Sequence, residues 1–473
     1  MQSAEANDDY LNFLFGKQSL AVWTMCLGVG LHSVNWNIVS TTAPTMVNDL
    51  GNARLISWIT LIYLATSVVF GAYAAYVKRQ IGARTAMILF AVVFGIGSFI
   101  VSAAPTMQVV LLGRAFQGIG EGLILALSYG VAQDVFSSKA TPKLFGLFAF
   151  VYAFSAALGP VFAGFVTEIS SWRVAFTANI LFALIYIVMA WRSIPNKTFA
   201  KGDYEMSVPF LRLGLIGGAI MLVGFTDSVI SALTAVLFIA LAAVLFYACL
   251  RIDSKQSIRV FPAQIFTLTS TVGVGFWVVF LLPISLAGIY VFIPLYTQTY
   301  FGVSIIIAGY FSTIIAFSWS FGAIVTGSFK SGNWQSTFIL MGTVGQFIGA
   351  MLFFTGYYFD VLWLILLGLF ITGASLGTCW AFVTQRIVTA TSEGDEDLAA
   401  SQVPVVQTIA TAVGAGIVGT LASFNGLTEK IPSATTLKAA LLPVFSIGVL
   451  ASAIGALFGL WLVFRKKEAV QAH

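Results

Sequence analysis

Apolar runs of about twenty residues alternate with short polar segments along almost the whole chain. A helix needs about 20 apolar residues to cross the hydrocarbon core of a bilayer. The runs are unbroken and show no strict alternation of polar and apolar residues, so the pattern predicts membrane-spanning helices and not strands. Fourteen helices are predicted, near residues 20–44, 56–77, 85–104, 108–129, 144–167, 174–191, 212–229, 231–250, 272–296, 304–326, 336–357, 361–383, 401–424 and 441–464.

Composition agrees with a membrane protein. Of the 473 residues, 59% are hydrophobic and 9% are charged, whereas soluble domains are about 45–50% apolar and about 25% charged. A chain with so few charges cannot cover a water-exposed surface, which excludes a soluble enzyme. Phosphate-binding glycine loops, Walker motifs and nucleophile elbows are also absent from the sequence, so we do not expect ATP-driven transport by this chain alone. We expect no enzymatic activity and no cofactor.

Cysteine and histidine are too sparse for a metal or haem site. The three cysteines, Cys26, Cys249 and Cys379, lie in separate apolar runs without CxxC spacing, and His32 and His473 are the only histidines. This pattern disfavours a metal site, a haem site or a disulfide framework.

The basic residues predict the orientation of the chain. With both termini in the cytoplasm, eighteen lysines and arginines fall on the inner side and four on the outer side. Cytoplasmic loops of membrane proteins carry such an excess of positive charge, so the net charge of +5 indicates topology and not nucleic-acid binding.

Two polar, basic segments divide the fourteen helices into groups of six, two and six. This layout predicts an all-α membrane protein made of two six-helix bundles with a two-helix central insert, as in transporters built from repeated halves. The predicted units are a cytoplasmic tail at 1–17, a first bundle at 18–192, linkers with the insert at 193–261, a second bundle at 262–465 and a tail at 466–473.

Two short stripes of polar residues interrupt the apolar helices. Arg114, Gln117 and Glu121 share one face of the fourth predicted helix, since seven residues make almost two full turns. His32 and Asn35, three residues apart, form a second stripe on the first helix. Ionisable residues inside a membrane are costly and mark functional sites.

Each of these residues has a functional and a structural interpretation. Glu121 is the carboxylate predicted to lie mid-membrane, and it is the first candidate for carrying a proton; His32 is the second. Arg114 is predicted to bind substrate or take part in gating, with the alternative that it hydrogen-bonds carbonyl groups of the first helix.

Several segments resemble the major facilitator superfamily, and within it the fourteen-helix drug:proton antiporter branch. The resemblance covers nearly the whole chain. It rests on L-L-G-R-A-F-Q-G-I-G-E-G at 111–122, A-L-G-P-V-F-A-G at 157–164, Trp172–Arg173, P-L-Y-T-Q-T-Y-F-G at 294–302, and Gln407 followed by Gly414 and Gly416.

The resemblance implies roles for further residues. In this superfamily the first and fourth helices line a central cavity, so the two polar stripes are expected to face each other. Aromatic residues expected to line the cavity are Trp36, Tyr152, Tyr290, Tyr296, Trp319 and Trp380. The residues expected to bind substrate or gate are Asn35, Asn37, Arg114, Gln117, Tyr296, Gln298 and Gln407, and those expected to pack helices closely are Gly118, Gly159, Pro160 and Gly164.

Two positions depart from the antiporter pattern. Asn35 stands where the branch has an aspartate in the first helix, and Arg79 stands where the loop between helices two and three has one. Proton linkage is therefore expected to run through another titratable group, Glu121 or His32.

The resemblance implies an exporter of amphiphilic small molecules, such as drugs or siderophore-like metabolites, working by alternating access with proton antiport. The alternative is an importer or facilitator of an organic anion such as a siderophore; a membrane receptor or scaffold is disfavoured because no soluble signalling domain is visible. The expected location is the inner membrane of a bacterium. The expected partners are a small-molecule substrate, protons and the lipid bilayer, with the protein as a monomer.

Overall fold

The computed structural model describes residues 13–16, 18–136, 141–195, 210–226, 232–256, 259–262, 264–327, 329, 331–392, 396–427 and 431–464. The predicted cytoplasmic tails lie almost entirely outside these ranges, as does most of the linker before the insert.

In the described ranges, helices of at least 16 residues lie at all fourteen predicted positions. They are α1 (Ser19–Leu50), α2 (Ile56–Gly71), α3 (Ala83–Ser102), α4 (Met107–Val135), α5 (Thr141–Ile169), α6 (Trp172–Ser193), α7 (Phe210–Phe225), α8 (Ala232–Asp253), α9 (Thr271–Phe301), α10 (Ile305–Gly327), α11 (Ser331–Phe359), α12 (Leu362–Ala390), α13 (Glu396–Phe424) and α14 (Ala434–Phe464). Within the described ranges, twelve are long and apolar enough to cross a membrane. The exceptions are α1, which carries the polar stripe, and the shorter α7. The all-helical membrane fold is thus confirmed, while a count of fourteen spans stays a prediction.

Several helices are longer than the predicted spans because the apolar run marks only the part inside the lipid. The second helix is instead shorter than its predicted span. It ends at Gly71, and a separate short helix, Ala74–Ile81, follows it. The closely spaced α11 and α12 are separated by a turn at Asp360, whose φ of 60° breaks the helix.

The first six helices pack mainly on one another, as do α9 to α14. The two groups meet where α2 contacts α13, where α5 contacts α10, and where α1 contacts α9 and α10. Of the two helices between them, α7 packs against α2, α13 and α8, whereas α8 packs mainly against α7. The insert therefore lies beside the seam between the two groups.

One end of the molecule carries Gly51, Gly302 and Gly426, all with positive φ in connections between helices. We call it the outer end, because the charge pattern predicts that it faces outside, and the opposite end the inner end. Glycine at these turns stops a helix at little steric cost.

The apolar core is divided in a way that distinguishes the two ends. One cluster lies in the inner half of the first six helices and includes Met25, Met87 and Leu127. A second cluster joins their outer half, including Ile38, to residues of the second six such as Phe292. The two groups of helices are therefore in apolar contact at the outer end, and the inner half of the first group has its own core.

Candidate functional site

His32 on α1 and Glu121 on α4 form a buried acid–imidazole pair. Glu121 Oε1 contacts His32 Nδ1, and the Glu121 side chain is 0% exposed while that of His32 is 22% exposed. A carboxylate removed from water is costly unless it is paired and hydrogen-bonded. The imidazole is therefore both the partner of the acid and the member of the pair that solvent can reach.

Two amides extend the hydrogen-bonded network beyond Glu121, on the side away from His32. Asn35 Nδ2 donates to Glu121 Oε2 at 3.4 Å, and Asn179 Nδ2 on α6 donates to Asn35 Oδ1 at 3.0 Å. The two predicted polar stripes thus meet at Glu121. Asn179 is not among the predicted site residues, although a strongly polar residue inside the predicted helix 174–191 is itself a signal.

Arg114 and Gln117 face away from α1. The Arg114 guanidinium is 1% exposed; its Nε donates to Ile59 O at 3.0 Å and its Nη1 to Gln117 Oε1 at 2.7 Å. Gln117 Nε2 donates in turn to Ser98 Oγ at 2.9 Å. These bonds tie α4 to α2 and α3. They favour the structural interpretation of Arg114, with one correction: the carbonyl that it binds belongs to α2 and not to the first helix.

Tyr63 on α2 connects the two polar clusters. The guanidinium carbon of Arg114 lies 3.9 Å from the centroid of its ring, and its hydroxyl lies 3.2 Å from His32 Nδ1. Tyrosine suits this position because its ring face attracts a cation and its hydroxyl forms hydrogen bonds. No sequence signal separated Tyr63 from the other aromatic residues, since its role depends on where α1 and α4 lie.

The predicted binding residues of the second bundle do not join this site. Tyr296 is fully buried, with its ring 5.1 Å from that of Tyr300 and 4.9 Å from that of Tyr357. Gln298 and Gln407 are half-buried at different depths of α9 and α13.

Four of the six aromatic residues predicted to line the cavity form two pairs. Trp36 on α1 meets Tyr290 on α9 edge to face, with centroids 5.7 Å apart, so this pair crosses between the two groups of helices. Trp319 and Trp380 pair within the second group at 5.5 Å. Asn37, beside Trp36, donates to a carbonyl of its own helix at 2.8 Å.

The predicted packing residues lie at close helix contacts. A Cβ at Gly118 would collide with the Tyr63 carbonyl on α2, and a Cβ at Gly159 would lie 2.6 Å from that of Asn37 on α1. Both positions need the smallest residue for their helices to approach this closely.

Pro160 and Gly164 lie at the outer contact between α5 and α10. A Cβ at Gly164 would come within 2.5 Å of Ile306 Cγ1, and one at Gly309 would lie 2.8 Å from the Pro160 ring. The Tyr310 hydroxyl donates to the Ala157 carbonyl at 2.9 Å across the same contact. We call this contact the outer seam.

Asp49, beyond the predicted span of α1, ties three elements together at the outer end. It accepts hydrogen bonds from the Arg173 guanidinium and, at 3.0 Å, from Trp172 Nε1. Arg173 also donates to the Ala104 carbonyl at 3.0 Å. The Arg173 hydrogen bond, followed by that of Trp172, holds the pKa of the Asp49 carboxyl below its usual range.

We expect this tie to be lost in acid. A depressed pKa means that the contribution of Asp49 to stability is present above the unfolded pKa of about 3.9 and is lost as pH falls through the folded value. Asp49 is 46% exposed, so the effect should be below about 1 kcal/mol. Melting temperatures of wild type and Asp49→Asn, measured from pH 7 to pH 3, should converge at the acid end. A gap that stays constant with pH would contradict this.

Comparison with known proteins places this arrangement in a family. The model of the Major Facilitator Superfamily matches residues 25–355. A probable multidrug-efflux transporter of Mycobacterium tuberculosis is 25% identical over 437 residues, which are 90% of this chain and 92% of that protein. The multidrug efflux pump SdrM of Staphylococcus aureus is 24% identical, with 64% of this chain and 67% of the pump aligned.

Solved structures share the architecture at low identity. The D-xylose–proton symporter aligns with a TM-score of 0.65 and 16% identity over 94% of this chain and 97% of its own. A bacterial homologue of the human lysosomal transporter Spinster, in an inward-facing and occupied conformation, aligns with a TM-score of 0.62 and 13% identity over 95% of this chain and 98% of its own. At such identities the likeness concerns the fold alone.

Proposed function

The chain belongs to the Major Facilitator Superfamily, and from this membership we propose that it exports amphiphilic small molecules across a bacterial inner membrane in exchange for protons. The names of the mycobacterial and staphylococcal relatives support efflux of drugs. Siderophore-like metabolites belong to the same amphiphilic class and are included in the proposal.

The His32–Glu121 pair is the observation that carries the proposal of proton exchange. When His32 is protonated, the pair is neutral overall and both charges are compensated. When the proton leaves, the imidazole is neutral and the buried Glu121 carboxylate has no positive partner, although His32 Nδ1 and Asn35 Nδ2 still adjoin its two oxygens. That state is costly, so gain and loss of a proton change the stability of the packing between α1 and α4.

Alternating access is proposed to occur by rocking of residues 18–192 against 262–465, with the insert outside the moving core. The outer seam and the division of the apolar core support this proposal. Together they are typical of a state in which the bundles are in contact at the outer end. In that state the apolar core in the inner half of the first bundle is separate from that of the second bundle. The opposite state requires the contacts at the outer seam to separate.

The decisive experiment measures direction and coupling in reconstituted vesicles of known orientation. Ethidium is a suitable probe because it is cationic and amphiphilic. We expect inside-out vesicles to accumulate ethidium only when a proton gradient, acid inside, is imposed, and to lose this accumulation when an ionophore collapses the gradient. Accumulation that ignores the gradient would overturn the exchange of protons.

An importer or facilitator of an organic anion is the second candidate. Asn35 favours it, because an amide replaces the acid that antiporters of this branch carry. The burial of Arg114 weighs against it, since a guanidinium that is 1% exposed does not offer its charge to an anion in this state. Downhill movement of an organic anion in the same vesicles, with no response to pH, would establish this alternative.

A bulky residue at the outer seam should prevent closure at that end. Gly164→Leu would place side-chain atoms where Ile306 lies, and we expect it to favour separated outer ends and reduce transport at least about tenfold. Spin labels at the exposed Thr106 and Asn425 would report the separation by electron paramagnetic resonance. Gly130→Leu is the matched control, because a Cβ at Gly130 meets no atom within 4 Å in the described residues. Equal label distances in both variants would contradict the prediction.

A further inference from the structure

A cavity of about 640 Å³ lies between the insert and the second bundle, remote from the His32–Glu121 pair. Side chains of α7, α8, α9, α13 and the segment before α9 form its walls, among them Ile220, Phe246, Trp277, Ile409 and Phe266. Its volume falls within the range of about 300–1,000 Å³ found for small-molecule sites. Most of the wall is apolar, so the occupant must be largely apolar as well.

The position of α8 connects the cavity to the lipid phase. This helix packs mainly against α7, and its other face exposes large apolar side chains, including Leu233, Val236 and Leu237. The ring of Phe246 reaches that of Phe266 at 5.7 Å and links α8 to the segment before α9. An empty apolar cavity is unfavourable because its walls lose dispersion contacts, and in a bilayer the adjacent molecules are lipids.

A buried ion pair closes the inner end of the cavity without leaving a net charge. Arg212 on α7 pairs with Asp253 on α8, and both side chains are at least nine-tenths buried. The Asp253 carboxylate also accepts the backbone N–H groups of Val260 and Phe261, at 2.8 Å in each case. The Arg212–Asp253 pair thus holds in place the segment before α9 that forms this wall.

Arg251, two residues before Asp253, supplies a charge that is not compensated. It is exposed at the end of the wall; its Nε donates to the Tyr247 hydroxyl at 2.6 Å, and its guanidinium lies 5.1 Å from the Tyr247 ring. Within the described part of the chain these are the only polar contacts of its guanidinium. Its remaining donors can therefore receive an anionic group whose apolar part occupies the cavity.

We propose that this cavity binds one anionic phospholipid of the inner leaflet. An acyl chain of the lipid lies in the apolar part of the cavity, and its phosphate lies against Arg251. Charge complementarity selects the lipid class, because the inner surface of a membrane is negative and attracts basic residues placed at its level. The site adjoins the seam between the bundles. Gly224 of α7 lies against Leu61 of α2, and Thr226, directly after α7, hydrogen-bonds Thr420 of α13.

The proposal is tested by native mass spectrometry of the full chain. The protein is released from nanodiscs of phosphatidylcholine that contain some phosphatidylglycerol, and the lipid that stays bound is identified. Wild type should retain one phosphatidylglycerol in preference to phosphatidylcholine. Ala243→Trp fills the cavity from its wall and should lose the bound lipid, whereas Val244→Trp, on the 59% exposed outer face of the same helix, should keep it. Melting temperatures of both variants establish that they fold.

Arg251→Gln tests the headgroup separately from the cavity. It should lower the retention of phosphatidylglycerol about fivefold and leave that of phosphatidylcholine unchanged, while the neighbouring Lys255→Gln should have no effect on either. Equal retention of lipid by Ala243→Trp and Val244→Trp would overturn the site. Equal retention of the two lipids by wild type, or displacement of the bound species by ethidium, would overturn the anionic phospholipid as its occupant.

Discussion

Replacing Glu121 by glutamine should abolish uphill export while leaving substrate binding in place. Glutamine preserves the length of the side chain and can still contact His32 and Asn35, but it cannot change charge. Each proton that enters or leaves at this pair would then have no carboxylate to compensate it, so exchange should fail. We expect accumulation against a gradient to fall at least about a hundredfold, the range in which a proton-transfer group acts.

The measurement is accumulation of ethidium in inside-out vesicles, together with its equilibrium binding between pH 5.5 and 8.5. Binding should become independent of pH in Glu121→Gln. Glu168→Gln is the matched control, because Glu168 lies exposed near the outer end of α5. A Glu121→Gln protein that still concentrates ethidium with a wild-type pH profile would show that His32 exchanges the proton without the carboxylate. An equally unaffected His32→Gln would place proton exchange outside this pair.

Removing the Arg114 side chain should destabilise the first bundle more than any surface substitution. Arg114→Ala leaves the Ile59 carbonyl and the Gln117 amide oxygen without their donor, and it removes the cation from the face of Tyr63. Leaving a buried acceptor without its donor costs about 1–3 kcal/mol, and this substitution leaves two such acceptors. Arg114→Lys should fall between wild type and alanine, because one ammonium group cannot reproduce the planar fork of donors.

Thermal unfolding in detergent and transport by the folded fraction separate the structural role from a direct one. Arg192→Ala is the control, since Arg192 is exposed at the inner end of α6. If Arg114 acts through packing, its variants should lose melting temperature and transport together, with ethidium affinity unchanged in the folded protein. Wild-type stability and transport in both Arg114→Ala and Arg114→Lys would contradict every role for this residue.

The departures from the antiporter pattern acquire a physical meaning at the His32–Glu121 pair. Asn35 takes the place of an acid, yet it lies beside one, donating to Glu121 from the neighbouring helix. The acid has in effect moved from α1 to α4, where His32 is its partner. The side chain of Arg79, at the second departure, lies outside the described part, so its consequence remains a prediction.

Much of the membrane architecture could be predicted from the sequence, because it follows from local physics. Burial of an apolar run of about twenty residues in lipid decides where a helix lies, whatever the rest of the chain does. Spacing along one helix also placed Arg114, Gln117 and Glu121 on a common face. The contact between Glu121 and the stripe of α1 was expected, but only with help from the family resemblance.

Contacts between helices were decided by the tertiary structure, because they depend on the rotation and tilt of each helix and not on spacing along the chain. The polar residues of α4 contact different helices. Glu121 contacts α1, whereas Arg114 and Gln117 bind α2 and α3. Tyr63 and Asn179 became part of the site only when α2 and α6 came against these stripes. Tyr296 packs its ring against Tyr357 within the second bundle, and its role in binding substrate stays a prediction. The sequence by itself determined which side chains are too polar to face lipid. The tertiary structure determined which hydrogen-bonding or charged partner each of these side chains has.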